Sequence, residues 1–237
     1  RKTYGPGSTT STSLPASKKS YIAEHNREYN RQEYWEKRFA DEEEYDWLAE
    51  YEHVRHLIHK YLPDRKARVL IVGCGNSRFS AQLYADGYRE LTNLDYSAAV
   101  IERMRARHPE MRWIVSDMTR LDLLPRTPEQ ASHLGLFDAV IDKAAMDALM
   151  TEEGDVWDPR AEVRDQVDRM CSGISGVLHA EHGLFLQISF AQTHFRSRYL
   201  LGAKHRQLVD PESGLTRQFS DSYSWYYSHE TFQPEGG

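Results

Sequence analysis

Cysteine is scarce: Cys74 and Cys171 are the only two in 237 residues, and they stand far apart. Such sparse use argues against a disulfide framework and suits a reducing compartment. Long apolar runs are missing too. No stretch approaches the roughly 18 residues needed to span a membrane, and the first residues lack the apolar core of a secretion signal. Excess positive charge is also absent. The formal net charge of −6 gives no overall steering toward nucleic acid. The expectation is a cytoplasmic chain with neither a membrane nor DNA as partner.

What is present divides into three parts. Residues 1–19 are rich in Ser, Thr, Pro and Gly and read as a disordered tail. Residues 20–62 are helix-compatible. Within them Leu48, Tyr51, Val54, Ile58 and Tyr61 recur at three- and four-residue spacing, and Pro63 follows as a stop. From 63 to 237 the pattern alternates. Strands are expected at 68–73, 91–95, 111–117, 137–143 and 182–191, and helices at 79–87, 97–108 and 160–179. A polar loop, LPRTPEQASHLG, precedes the fourth strand. This alternation predicts an α/β fold, Rossmann-like and doubly wound, with its ligand at the carboxyl ends of parallel strands.

The first strand ends in VLIVGCGNSRFS (69–80). A triphosphate-binding loop needs a Gly-Lys-Ser/Thr ending, and no such lysine follows Gly73 and Gly75. A dinucleotide fingerprint needs a third glycine where Arg78 stands. A ligand without pyrophosphate needs only the first two, which let the backbone approach it closely. Asp95 ends the second strand, 20 residues after Gly75, placed to accept both hydroxyls of a ribose. Asp117 follows the third strand, placed to accept from an adenine amino group, with Met118 beside it to pack on the base. Together these marks fit S-adenosyl-L-methionine and a class I methyltransferase; Asp at a strand end is by itself only a common turn residue.

EYWEKRF (33–39), YDW (45–47), VLIVGCGNS, LDYS (94–97), DKAAMDAL (142–149) and THFRSRYL (193–200) carry a closer resemblance. Over residues 30 to 200 the chain resembles the lysine methyltransferases of elongation factor 1-alpha. The likeness is to the branch of the methyltransferase encoded beside endothelin-converting enzyme 2. That resemblance implies a mostly parallel seven-stranded sheet over 63–237, with residues 20–62 as a helical lid. It implies cofactor contacts from Trp35, Phe39, Trp47, Gly73, Asp95, Tyr96, Asp117, Met118 and Lys143. Gly75 and Asn76 of the loop are counted with them. Two departures stand out: Ala144 occupies a position where the family usually has Gly, and residues 201–237 match poorly and are short of a final strand pair.

A lysine acceptor must attack as the neutral amine although its ordinary pKa is about 10.4. Apolar surroundings lower that value, and a carboxylate can guide the proton. Asp142 and Asp147, flanking Lys143 and Met146, are the candidate catalytic carboxylates; Lys143 is expected to pair with the cofactor carboxylate. The expected partner is a protein substrate, elongation factor 1-alpha. Alternatives are a small molecule, another protein, or a non-catalytic binding module on the same fold. Other clusters read more plainly. His53, His56 and His59 share a helix face without an added ligand, so no metal is expected. Arg103, Arg105, Arg107 and His108 read as a solvated face rather than an RNA patch.

Overall fold

The computed structural model describes residues 23–124, 136–151, 159–209 and 214–232. The expected tail (1–19) lies outside these residues, as does nearly all of the loop 124–135. A short 3-10 turn, Asn26–Asn30, leads into α1 (Gln32–Asp41) and α2 (Tyr51–Tyr61). The spacing of Tyr51, Val54 and Ile58 puts all three on the buried face of α2. Asp86 then pins that helix to the body. Its carboxylate accepts from Tyr51 Oη at 2.6 Å and Arg55 Nη2 at 2.8 Å, and it contacts His59. Burial alone would raise its pKa, but these hydrogen bonds hold Asp86 below the usual carboxylate range. His59 thus has a structural partner, and His53 accepts from the Glu50 amide at the start of the same helix. No group of three or more metal-ligating side chains occurs among the described residues.

The central sheet contains β1 (Val69–Val72), β2 (Leu91–Asp95), β3 (Arg112–Val115), β4 (Ala139–Lys143) and β5 (Leu184–Ile188). All neighbours are parallel, in the order β3-β2-β1-β4-β5. Successive side chains of a strand point to opposite faces. In β1, Val69 and Ile71 enter one hydrophobic core, while Leu70 and Val72 enter the other. Helices therefore cover both faces, which is why this strand is apolar at every position. The helices are α3 (Phe79–Ala85), α4 (Ala98–Arg107), α5 (Ala145–Leu149) and α6 (Ala161–Val177). Ser97 caps α4 as its position suggests, accepting from the Val100 amide. None of the described helices is long and apolar enough to cross a membrane.

The sheet differs from the expected seven strands: five strands form it among the described residues. After α7 (Thr193–Leu201), β6 (His205–Val209), β7 (Thr216–Ser220) and β8 (Trp225–Tyr227) form a separate antiparallel sheet. The reason is compositional. β6 is exposed at four of its five positions, so it does not suit a sheet buried on both faces. This second sheet is tied instead to the helices. Tyr223 donates to Asp168 at 2.7 Å, and its carbonyl accepts from Ser175 Oγ at 2.6 Å. Trp225 Nε1 donates to the Leu200 carbonyl at 2.7 Å.

Candidate active site

In a parallel sheet, a crevice opens where the strand order reverses, here between β1 and β4. A cavity of about 470 Å³ lies at their carboxyl ends. Its floor is the loop after β1. Gly73 (φ +59°) and Gly75 (φ +52°) both adopt the left-handed conformation. A Cβ on Gly73 would lie 2.4 Å from Ala145 Cβ, so the turn requires glycine there for packing as well. A Cβ on Gly75 would meet the Phe39 ring at 3.3 Å, because α1 rests directly on this loop.

Asp95 supplies the acid. Its Oδ2 accepts from the Gly75 amide and its Oδ1 from the Ser97 amide, both at 3.0 Å. The Tyr96 backbone amide bonds to the carboxylate as well, and of its four lone-pair sites one stays open to a further donor. Burial raises its pKa to about 6, against the opposing pull of the backbone amides. Tyr96, beside it, also lines the cavity. Met118 lines it and Asp117 does not; Asp117 is exposed, and its Oδ1 accepts from Thr119 N at 2.8 Å and Thr119 Oγ1 at 2.9 Å.

The roof is the aromatic segment before the sheet. Trp35 and Trp47 lie 5.6 Å apart between centroids, and Trp35 and Phe39 lie 5.7 Å apart. Tyr29, absent from the sequence reading, completes the cluster at 5.4 Å from Trp47. Arg38 stacks over Trp47 and Tyr45 at 4.7 Å and pairs with Glu42 at 2.8 Å. Asn76 fastens floor to roof, donating to the Glu42 carbonyl at 3.1 Å.

Lys143 makes a second fastening. Its amine donates to the carbonyls of Trp47 at 2.8 Å and Ala49 at 3.4 Å, and to Asp46 at 3.3 Å. An ammonium has three hydrogens, so all are engaged and none is left for a cofactor carboxylate in this geometry. Burial lowers its pKa below the ordinary lysine value, and Asp46 offsets only part of that.

The two candidate carboxylates separate. Asp142 is fully buried and does not line the cavity. It accepts from the amide of Ala145 at 2.8 Å and from Gln187 Nε2 at 3.1 Å, which holds the start of α5. Burial raises its pKa to about 6. Asp147 does line the cavity, but Ser189, Phe190 and Arg196 all donate to it. Ala144 adopts φ +65°, a left-handed conformation that is costly for a residue other than glycine.

A glycine turn, a buried acid at the next strand end and an aromatic roof over the strand termini define a class I S-adenosylmethionine-dependent methyltransferase. Residues 69–159 match the methyltransferase domain family. The EEF1A lysine methyltransferase 4 of Bos taurus is 32% identical over 197 residues, covering 81% of this chain and 73% of that protein. The chain belongs to the EEF1A lysine methyltransferase family. It is also 35% identical over 175 residues to the eEF1A lysine and N-terminal methyltransferase of Homo sapiens, covering 71% of this chain and 23% of that longer protein. Among solved structures, it is similar to the N-methyltransferase NodS from Bradyrhizobium japonicum, in complex with S-adenosyl-l-homocysteine. That likeness has a TM-score of 0.40 and 19% identity, covering 60% of this chain and 66% of that one.

Proposed function

We propose that this chain transfers a methyl group from S-adenosylmethionine to a lysine of translation elongation factor 1-alpha, in the cytoplasm. The observation that carries this reading is a buried Asp95 with spare acceptor capacity beside Gly75, in a cavity roofed by tryptophans. Similarity to proteins named as eEF1A lysine methyltransferases supports the choice of acceptor. When bound, the cofactor supplies an electrophilic methyl on its sulfonium.

Every other task falls to residues of this chain. Gly73 and Gly75, with Asn76, cradle the methionine chain by letting the backbone approach it. Asp95 accepts a ribose hydroxyl, with Tyr96 alongside. Met118 packs on the adenine, and Asp117 offers its Oδ2 to the amino group from the rim. Trp35, Phe39 and Trp47 exclude water, which keeps the acceptor amine neutral by making its charged form costly. In this account Lys143 latches the roof rather than binding the cofactor carboxylate. Asp142 and Asp147 position α5 and the segment after β5; alignment and desolvation then carry the reaction without a covalent catalyst.

Incubation with methyl-labelled cofactor and a lysate of the source organism tests the reading. Label should enter one protein band at the size of the elongation factor. Label in small molecules, or only in other proteins, contradicts it.

A further inference from the structure

The cavity wall continues beyond α5 to a side chain that no motif pointed to. Phe190 directly follows the β5 region, is 68% exposed, and still lines the cavity. A lone aromatic ring on a surface is ordinary. Phe190 differs in how firmly its backbone is held. Its amide donates to Asp147 Oδ2 at 3.2 Å, and the preceding Ser189 hydroxyl donates to Oδ1 at 2.7 Å. Arg196 of α7 closes the cluster, donating to Oδ1 from Nε at 3.0 Å and Nη2 at 2.7 Å. Asp147 itself is only 2% exposed. A buried, four-fold hydrogen-bonded carboxylate thus supports an exposed ring at the cavity mouth, and charge-assisted bonds of this kind are the strong ones.

We propose that Phe190 is a specificity-determining residue on the acceptor side, its ring packing against the aliphatic stem of the incoming protein lysine. Asp147, Ser189 and Arg196 are its positioning residues. The inference rests on the protein-lysine reading of the cavity. A lysine side chain offers methylenes to a ring at the mouth while its amine passes inward. Contact along the stem is the same before and during methyl transfer. Removing it therefore raises KM for the protein acceptor and leaves kcat little changed.

The test is steady-state kinetics on the full chain with S-adenosylmethionine and purified elongation factor 1-alpha, comparing wild type, Phe190→Ala and Phe190→Met. Loss of a buried aromatic contact predicts a KM about tenfold higher for Phe190→Ala, with kcat within about twofold and cofactor Kd unaltered. Phe190→Met, flexible and apolar, recovers most of the affinity. Arg196→Ala shifts KM in the same direction by releasing the clasp. An active wild type with unchanged KM in Phe190→Ala overturns this inference alone. A wild type that binds cofactor yet methylates no lysine overturns the functional reading, and the inference with it.

Discussion

The Lys143 amine lies 2.8 Å from the Trp47 carbonyl and also reaches that of Ala49, so it grips the chain on both sides of Leu48. Leu48 adopts φ +71°, a conformation costing a non-glycine residue about 1 kcal/mol. One buried cation thereby joins the end of β4 to a strained turn in the roof. Lys143→Met removes three hydrogen bonds from that turn. Amide exchange in 42–50 should accelerate, and cofactor affinity should fall about tenfold as the roof loosens. Unchanged exchange with a large affinity loss would instead assign Lys143 to direct cofactor contact.

Asp95 sets the pH dependence of cofactor binding. With its pKa near 6, it is ionised above that value and accepts a ribose hydroxyl best there. Affinity measured by calorimetry should be constant above about pH 7 and fall as pH drops through 6. Asp95→Ala should weaken binding by one to two orders of magnitude, about 1.4–3 kcal/mol for the lost charge-assisted bond, and abolish the pH dependence.

Asp142 has the opposite bearing on stability. Its folded-state pKa of about 6 exceeds the unfolded value, so folding favours the protonated form. That contribution is complete below about pH 4 and lost as pH rises through 6. Asp142→Asn retains an acceptor for the Ala145 amide without the buried charge. Relative to wild type, its melting temperature should rise between pH 4 and 6 and level off above. Its kcat should stay within a few fold. A hundredfold drop would put Asp142 at the acceptor.

Ala144→Gly tests the strained turn before α5. Relief of the φ +65° conformation should stabilise the fold by about 1 kcal/mol, read as a melting temperature about 2–4 °C higher. Gly73→Ala should do the reverse, since its new Cβ would meet Ala145 at 2.4 Å. No gain in Ala144→Gly would show that the surroundings favour a side chain there.

The sequence displayed the sheet because β1 to β5 are local apolar runs, and their ends fall at Gly73, Asp95 and Lys143. Ser97 was legible as a cap for the same local reason. Four features were not legible. The partners of Lys143 lie nearly a hundred residues upstream, so only the folded chain shows its hydrogens engaged. Asp142 and Asp147 look alike in DKAAMDAL, yet only Asp147 reaches the cavity, because Asp142 lies within β4 and Asp147 on α5 beyond the turn at Ala144. Phe190 reads in the sequence as one more apolar residue of the strand expected at 182–191, and only the fold puts it past the end of β5 and against the cavity. The separate sheet of β6, β7 and β8 was not legible because β6 and β7 are mostly polar and β8, though aromatic, is only three residues long.

Methyl transfer to a lysine leaves a mass increment on the acceptor side chain. The most direct measurement is peptide mass spectrometry of purified elongation factor 1-alpha incubated with S-adenosylmethionine and this protein. Methylation at a defined lysine, absent with Asp95→Ala, is the predicted result. An elongation factor left unmodified by wild-type protein that binds the cofactor would contradict the account.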